Sequence, residues 1–483
     1  MVMGEFTQET DLLVIGGGPG GYAAAFRAAD LGMDVTMVEA DPGPGGVCLF
    51  RGCIPAKTLL YVTELMHDSR RASEMGIAFA EPEIDLSRLR EWKDKVIDRL
   101  ARGLVELTKR RGILFIQGTA TLEDSSHARV QNAGSSHIRF KHAIIATGSS
   151  TRTLAGAQFK PGGRVMDSTG ALELADIPKR LLVVGGGFVG LETGSVYASL
   201  GSKVVLVEFD GQLMRGIDSD LSKPLVARLE GLFESISFNT DVTSIKEGES
   251  GVDVTFSGEI EEKNQRFDRV LAAVGRTPNS QGIGLENTKV KVNERGFIIV
   301  DQQRRTTDDK IFAVGDVTGG AMLAHKAMHE GKVAAEVISG MPSAFDFQAI
   351  PAVLYTDPQI AVCGLSEEEA KRRGRNVKVT RFPWSASGRA VSMGVAQGMT
   401  KMIIDPGSQR VLGVGIVGRE AGEMISEGVL AIEMGALAED IGMSIHPHPT
   451  LSETEEEAAE AFLGSSTHIL PQRRAGAGRD SPA

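Results

Sequence analysis

Short apolar runs separated by an alanine-rich stretch open the chain. Leu12–Ile15 and Val35–Val38 have the length and continuity of strands buried on both faces of a parallel sheet, and the alanine-rich residues between them favour a helix. The same strand–helix–strand order returns about 170 residues later, in KRLLVVGGGFVGLETGSVYASLGSKVVLVEFD. The chain is therefore predicted to contain one α/β unit twice.

The pattern of apolar positions predicts the remaining elements. A long charged helix is predicted over Glu91–Arg111, strands in HAIIATGSS, RVLAAVGRTPN and IFAVGDVTG, and a helix in MLAHKAMHEGKVAAEVI. From about residue 346, the segments VLYTDPQIAVCGL, KVTRFPW, TKMIIDP and VLGVGIVG indicate an antiparallel sheet with helices. The expected fold class is α/β, with two Rossmann-like dinucleotide-binding domains and a C-terminal α+β domain. Residues 469–483 are predicted to form a disordered tail.

Composition narrows the classes of function. The 483 residues carry a formal net charge of −11, with a pI near 5.5, which argues against a nucleic-acid surface. No apolar run reaches the roughly 18 residues that a membrane span needs. The acidic start MVMGEFTQETD has neither the apolar core of a secretory signal nor the arginines of a transit peptide. We expect a cytoplasmic protein.

The first α/β unit carries the pattern G-x-G-x-x-G at Gly16, Gly18 and Gly21. Such glycines allow a tight turn, close approach of a pyrophosphate and close packing of helix on strand. Glu39 follows Gly21 by 18 residues, at the end of the second strand, where its carboxylate can accept hydrogen bonds from a ribose. This order of elements predicts a bound dinucleotide.

The second unit repeats this pattern at Gly185, Gly187 and Gly190, and Glu208 ends its second strand. A carboxylate at this point accepts from a 2′-hydroxyl and repels a 2′-phosphate, and the following FDGQLM is without basic residues. The second site is therefore predicted to take NAD rather than NADP.

Two of the three cysteines, Cys48 and Cys53, lie five positions apart just after the first fingerprint. On a regular helix this spacing would leave their side chains about 140° apart and displaced by roughly 7.5 Å, so the chain is expected to be irregular between them, with Gly52 permitting the break. A close pair in a reducing compartment favours a reactive disulfide. The alternative interpretation is that the two cysteines are unrelated buried thiols. A metal site is weakly supported, because the sequence has no second Cys/His pair at ligand spacing. Cys363 is interpreted as a small buried residue.

Over about residues 9–465 the chain resembles the pyridine-nucleotide disulfide oxidoreductases, and within them the dihydrolipoamide dehydrogenase branch. The resemblance rests on GGVCLFRGCIPAK, the two fingerprints, ATG at 146–148, GRTPN at 275–279, AVGDV at 313–317, MLAHKA at 322–327, YTDPQ at 355–359 and HPHPTLSE at 446–453. It implies one non-covalent FAD per subunit at the first fingerprint and NAD⁺/NADH at the second. It also implies cofactor contacts at Gly118, Ala120, Thr147, Gly148, Gly275, Asp316, Met322, Leu323, Ala324 and His325.

The resemblance also implies unequal roles for the cysteines. Cys48 would exchange with substrate, and Cys53 would form a charge-transfer contact with the flavin. Lys57 would lie near the flavin N5 and pair with Glu192, which belongs to the helix of the second fingerprint. A solvated surface lysine is the alternative interpretation of Lys57.

The motif HPHPTLSE matches the family at His448, with Glu453 placed to orient its imidazole. His448 is the predicted base, and the resemblance implies that it serves the partner subunit of a homodimer. His446 is favoured as structural, and SETEEEAAE as a helix face in which only Glu453 is functional.

The resemblance implies residues 1–152 and 277–345 as an FAD-binding domain, 153–276 as an NAD-binding domain and 346–468 as a dimerisation domain. The implied activity is oxidation of dihydrolipoyl groups, on a lipoylated carrier protein or 2-oxo acid dehydrogenase complex, with reduction of NAD⁺.

Phe50, Ala56 and Gln359 depart from the family pattern, and the first two remove polar groups beside the disulfide. A related reductase acting on another disulfide, metal or lipoyl carrier is therefore the alternative. A flavin-binding subunit without catalysis is less favoured.

Overall fold

A computed structural model describes residues 7–131, 136–154, 157 and 159–470. The chain divides into two compact units, one comprising the chain up to Phe209 with Ser237–Asp346, the other Asp210–Ile236 with the chain from Phe347 onward. The predicted boundaries at residues 152, 276 and 345 stay predictions. Of the predicted tail, residues 471–483 lie outside the described residues.

The elements are numbered in chain order. The helices are α1 (Pro19–Asp30), α2 (Gly46–Arg51), α3 (Cys53–Arg71), α4 (Leu86–Arg110), α5 (Ser168–Leu172), α6 (Phe188–Ser199), α7 (Ser219–Leu232), α8 (Ala324–Ile338), α9 (Glu367–Arg372), α10 (Gly388–Ser392), α11 (Ala421–Met434), α12 (Ala438–Gly442) and α13 (Glu453–Leu463). The strands are β1 (Thr7–Ile15), β2 (Val35–Glu39), β3 (Leu114–Gln117), β4 (Thr119–Leu122), β5 (His127–Gln131), β6 (Ser136–Ile145), β7 (Ser149–Thr151), β8 (Val165–Met166), β9 (Arg180–Val184), β10 (Lys203–Val207), β11 (Ser235–Ser237), β12 (Thr240–Gly248), β13 (Gly251–Gly258), β14 (Asn264–Phe267), β15 (Arg269–Ala272), β16 (Arg276–Pro278), β17 (Ile311–Ala313), β18 (Ala352–Leu354), β19 (Gln359–Gly364), β20 (Lys378–Pro383), β21 (Met399–Ile404) and β22 (Val411–Gly418).

The first unit is built on a sheet of order β3-β2-β1-β6-β5-β4, with β17 pairing parallel to β6. The strands β3, β2, β1, β6 and β17 are parallel, and β4 and β5 are antiparallel. Leu12 and Val14 of β1 pack into one core and Leu13 and Ile15 into another. Burial on both faces explains why the Leu12–Ile15 part of β1 is a continuous apolar run, as predicted.

The repeated α/β unit lies in the same compact unit. Its strands run in the order β10-β9-β15-β8, all parallel, and α6 connects β9 to β10. Strands β12–β14 form a separate antiparallel sheet, and β16 pairs with β7. Both predicted strand–helix–strand units are confirmed.

The helix predicted over Glu91–Arg111 begins five residues earlier, as α4. The Asp85 side chain accepts from the backbone N–H groups of Ser87 and Arg88 at 3.0 Å each. This N-cap satisfies two of the donors that a helix start leaves unpaired, so the helix begins at Leu86.

The second unit contains the predicted antiparallel sheet, of order β18-β19-β22-β21-β20. Helices α11 and α13 contribute Ile425 and Ala458 to a core that contains the fully buried Trp384. Among the described residues, no helix is long and apolar enough to cross a bilayer.

An ion cluster explains why α7 belongs to the second unit. The Lys401 side chain is fully buried, and its Nζ lies 2.8 Å from Asp218 Oδ2, 3.0 Å from Asp220 Oδ1 and 2.9 Å from Glu367 Oε2. A buried ammonium left without these carboxylates would cost several kcal/mol. The cluster therefore fixes the start of α7 to the β21 strand.

Candidate active site

The two cysteines flank a break between helices. Cys48 lies in α2, and α3 begins at Cys53. The predicted irregularity is confined to Gly52, whose φ of −142° and ψ of −106° end one helix and start the next. Cys48 and Cys53 are free, half-buried thiols that hydrogen-bond to each other. Among the described residues, no group of three His, Cys, Asp or Glu side chains is arranged to hold a metal ion.

The surroundings give the two thiols opposite acidities. The hydrogen bond from Cys48, together with the Lys57 cation, lowers the pKa of Cys53 to about 7. The same hydrogen bond, burial and the charge on Cys53 raise the pKa of Cys48. Cys53 is also the first residue of a 19-residue helix, where the dipole favours a thiolate. The reduced pair is therefore a thiol at Cys48 and a thiolate at Cys53.

A partly buried ion pair lies beside the thiols. Lys57 Nζ donates to Glu192 Oε2 at 2.7 Å, joining α3 to α6. The Glu192 side chain is only 6% exposed and that of Lys57 34%. Lys57 is therefore not a freely solvated surface lysine, and it places a positive charge near Cys53.

The first fingerprint forms the turn between β1 and α1. Gly16 has a φ of +103°, and a Cβ there would lie 2.4 Å from the Ala146 carbonyl oxygen, so only glycine fits. A Cβ on Gly21 would lie 1.9 Å from Gly16 O, whereas Gly18 has no neighbour within 4 Å of that position. Glu39 Oε2 accepts from Gly17 N at 2.5 Å. The open backbone at the start of α1, beside a carboxylate, suits the pyrophosphate and ribose of a dinucleotide.

The second fingerprint has the same geometry. Gly185 has a φ of +107°, and its Cβ would lie 2.5 Å from Ala273 O. A Cβ on Gly190 would lie 2.0 Å from Gly185 O, and that of Gly187 would meet nothing within 4 Å. Glu208 Oε2 accepts from the backbone N–H of the glycine after Gly185 at 2.5 Å. Both turns therefore fit a dinucleotide.

Asp316 lies in a 3-10 turn, Gly315–Thr318, at the carboxyl end of β17. Ser149 Oγ donates to Asp316 Oδ2 at 2.5 Å, and Arg276 Nε donates to Ser149 Oγ at 2.6 Å. Ligands of open parallel sheets bind at this edge. The chain thus holds Asp316 in a fixed orientation where a cofactor is expected.

Sequence reasoning missed the support beneath this turn. Glu330 is fully buried, and its carboxylate accepts from Gly315 N at 2.7 Å, Arg304 at 2.7 Å and Lys326 at 3.0 Å. A usable signal was present: Lys326 and Glu330 stand four residues apart in a helix that the pattern already predicted. The backbone turn that carries Asp316 is anchored by this carboxylate.

The other predicted contact positions lie in three parts of the fold. Thr147 Oγ1 donates to Asn279 O at 2.7 Å, and Gly148 and Gly275 both present an open Cα with positive φ. The positions before and at the start of α8 are half-buried: Met322, Leu323, Ala324 and His325. Gly118 and Ala120 lie at β4, where Ala120 is 2% exposed and packs in the core. The Ala120 side chain is therefore not open to a ligand.

The predicted base lies in the loop before α13. His448 Nδ1 lies 2.7 Å from Glu453 Oε1, and Glu453 Oε2 accepts from Thr450 N at 2.6 Å. The His448 side chain is 73% exposed, against 22% for Glu453. The carboxylate fixes the imidazole by one nitrogen, and the ring remains accessible for proton transfer.

The three departures from the family pattern have different surroundings. Phe50 is half-buried in α2, and Ala56 is 9% exposed in α3. Gln359 Oε1 accepts from Gly422 N, in the first turn of α11, at 3.0 Å. Gln359 therefore acts as a helix cap.

The chain is similar in sequence to known proteins over nearly its full length. The family model described as pyridine nucleotide-disulphide oxidoreductase matches residues 10–331, and the dimerisation-domain model of the same family matches residues 350–459. Dihydrolipoyl dehydrogenase of Vibrio parahaemolyticus is 44% identical over 97% of this chain and 98% of its own. The enzyme of that name from Geobacillus stearothermophilus is 43% identical over 97% of this chain and its whole length.

Solved structures are also similar to this chain in fold. LpdA from Mycobacterium tuberculosis superposes with a TM-score of 0.87 at 25% identity, covering 94% of this chain and 99% of its own. The HOCl-induced flavoprotein disulfide reductase RclA from Escherichia coli gives 0.83 at 28% identity, covering 93% and 99%. Taken with the two family models, these likenesses establish that the chain belongs to the pyridine nucleotide-disulphide oxidoreductase family.

Proposed function

We propose that this protein is an FAD-dependent dihydrolipoyl dehydrogenase, which oxidises protein-bound dihydrolipoyl groups and reduces NAD⁺. Relatives with that name are 42–44% identical over at least 96% of the chain, well above the 28% identity of the copper-binding reductase RclA. The single observation that carries the proposal is the hydrogen-bonded pair of Cys48 and Cys53 beside the Lys57–Glu192 ion pair.

The different pKa values of the two thiols indicate which sulfur the substrate attacks. With the pair oxidised, a substrate thiolate attacks Cys48 Sγ, the Cys48–Cys53 bond breaks, and Cys53 leaves as a thiolate. Since a low-pKa thiol is the better leaving group, attack at Cys48 is favoured over attack at Cys53. The second substrate thiolate then attacks the substrate sulfur of the mixed disulfide and releases Cys48. The substrate becomes a cyclic disulfide, and the cysteine pair gains its two electrons.

We assign the proton transfers to His448. Its imidazole would take the proton of the first substrate thiol and release it to solvent, then take the proton of the second thiol and pass it to Cys48 as that sulfur leaves, while Glu453 stabilises the imidazolium. The homodimer of this family would bring the partner subunit's His448 to the cysteine pair. Four exposed apolar side chains suit such an interface. Two lie on α11 and two in the segment just before His446: Leu430 (63% exposed), Met434 (77%), Met443 (75%) and Ile445 (98%).

Each of the two fingerprint turns is assigned one nucleotide. The first turn, with Glu39 and Asp316, would hold FAD, which when bound supplies the two-electron acceptor between the thiol pair and NAD⁺. The second turn, with Glu208, would hold NAD⁺ and disfavour the extra phosphate of NADP. The lipoylated carrier, from a 2-oxo acid dehydrogenase complex, and the cytoplasmic location are parts of the same proposal.

The proposal is tested by anaerobic turnover of the holoenzyme with dihydrolipoamide and NAD⁺, with NADH followed at 340 nm. We expect one NADH for each dihydrolipoamide oxidised, and loss of this reaction in Cys48→Ser. Cys363→Ser is the matched control, because that thiol is 4% exposed and lies outside the site. Turnover with NADPH and another disulfide, but none with dihydrolipoamide, would instead favour the alternative reductase.

A further inference from the structure

We propose that His446 is a positioning residue for the base His448, acting as a positively charged anchor of the loop that carries it. The inference rests on the proposed function, since it concerns the proton transfer assigned to His448. His446 is separated from His448 by a single proline, Pro447. A displacement of the His446 ring would therefore pass directly to the base.

The contacts of His446 require a proton on both ring nitrogens. Nδ1 lies 2.8 Å from the carbonyl oxygen of Ser444, and Nε2 lies 2.9 Å from Glu427 Oε1. A carbonyl oxygen only accepts, and so does a carboxylate, so a neutral imidazole could make one of these bonds but not both. The side chain is only 7% exposed, so water is a poor substitute for either partner. His446 is therefore an imidazolium.

Acidic side chains from two helices face this cation. Glu427 comes from α11, and Glu456 Oε2 of α13 lies 3.4 Å from Nδ1. Glu455, also of α13, is fully buried, and its carboxylate has no hydrogen-bond partner among the described residues. Burial raises the pKa of Glu455 well above its ordinary value, so it stays protonated and adds no charge. The Glu427 hydrogen bond raises the pKa of His446 to about 9, although burial acts against it.

These contacts tie the loop to the helix that orients the base. Glu453, which fixes His448, is the first residue of α13, and Glu456 follows one turn later. The neighbouring loop side chains Met443 and Ile445 are 75% and 98% exposed and so contribute little packing against the described residues. His446 is thus the buried polar link that holds the loop against both α11 and α13.

The test uses Glu427→Gln, which keeps an acceptor for Nε2 but removes the charge. In this variant the pKa of His446 should fall towards its ordinary value of about 6.5. At pH 6 the ring stays charged, and we expect kcat/KM for dihydrolipoamide within about twofold of the unmodified enzyme. At pH 8.5 the ring is neutral, so its attraction to the Glu456 carboxylate is lost and the introduced amide has to turn to donate to Nε2; we expect a fall of about tenfold or more relative to the unmodified enzyme. A merely structural role predicts the same loss at both pH values and would overturn the inference.

Two controls separate the possible failures. Glu423→Gln changes an exposed glutamate on the same helix and should leave both pH values unaffected. NADH oxidation by an artificial quinone, which bypasses thiol exchange, should be unchanged in Glu427→Gln. If the unmodified enzyme does not oxidise dihydrolipoamide, the proposed function fails. If it does but Glu427→Gln shows no pH-dependent defect, only the role of His446 fails.

The protonation of His446 can also be measured directly in the unmodified holoenzyme. Nitrogen-15 NMR of the holoenzyme labelled in histidine should show one ring, among the nine histidines, that keeps both nitrogens protonated up to about pH 8.5. His446→Gln should remove that signal, with quinone reduction as the check on folding. A signal that loses a proton near pH 6.5 would contradict the charged anchor.

Discussion

Replacing Lys57 by methionine should raise the pKa of Cys53. The Cys48 hydrogen bond and the Lys57 cation together bring this pKa from an ordinary 9.0 to about 7, against the effect of burial and of Glu192. Two pKa units correspond to about 2.7 kcal/mol of preference for the thiolate. These two effects also overcome burial and Glu192, so together they exceed the net shift; the hydrogen bond is the larger, and we take the loss of Lys57 as roughly one pKa unit. At pH 7.5 the thiolate fraction of Cys53 would then fall from about three quarters to about one quarter.

Alkylation measures this pKa for each cysteine separately. The holoenzyme is reduced anaerobically with dihydrolipoamide and treated with iodoacetamide between pH 5.5 and 9.5. Trypsin cuts after Arg51, so the two cysteines fall in different peptides, and Cys53 lies in residues 52–57, or in 52–70 in the variant. The rate of alkylation at Cys53 plotted against pH then gives its pKa.

Two further variants make the reasoning refutable. Glu192→Gln should move the pKa of Cys53 in the opposite direction, because the Glu192 carboxylate raises it. Lys95→Met, at a lysine that is 73% exposed, should change nothing. An unchanged pKa in Lys57→Met, or a rise in Glu192→Gln, would show that the ion pair beside the thiols does not set their acidity.

Three other substitutions test the remaining assignments. His448→Gln should lower kcat for dihydrolipoamide by about 10²–10⁴-fold, whereas His468→Gln, at another histidine paired with a glutamate, should not; equal losses would refute the assignment of the base. Glu208→Ser should narrow the kcat/KM preference for NAD⁺ over NADP⁺ by about tenfold or more, and an unchanged ratio would count against its role. Glu455→Leu should stabilise the protein by about 1–3 kcal/mol at pH 8. Because the pKa of this carboxyl is raised in the folded state, the unfolded state binds fewer protons above about pH 4.5, so stability falls as pH rises. The difference between the thermal midpoints at pH 5 and pH 8 should therefore be smaller in the variant than in the unmodified protein. An equal difference would contradict the raised pKa of Glu455.

Local signals in the sequence were sufficient for the elements and the two nucleotide turns. The apolar run Leu12–Ile15 and the glycine spacing around Gly16 and Gly185 act within a few residues of each other, so the sequence alone reveals them. The break at Gly52 followed from helix geometry in the same way. The early start of α4 was missed because Asp85 lies outside the periodic pattern and acts only as a cap.

Contacts between distant residues could not be predicted. Glu330 accepts a bond from Arg304, which is 26 positions away, and His446 donates one to Glu427, which is 19 away. A glutamate or histidine in a polar segment is normally solvated, and only the tertiary structure shows that these two are buried. The unequal acidity of Cys48 and Cys53 likewise depends on the Lys57–Glu192 pair, whose members are 135 positions apart.

The attachment of α7 through Lys401 has a consequence during synthesis. Asp218 leaves the ribosome 183 residues before Lys401, its partner in the cluster. At about 5–20 residues per second this is a delay of roughly 10–40 s. Throughout it the apolar face of α7, which includes Leu221, Leu225 and Leu229 and is almost fully buried in the folded protein, has no sheet to cover it. Nascent chains that have reached about residue 300 should therefore be favoured targets for chaperones, and release should follow completion of β22.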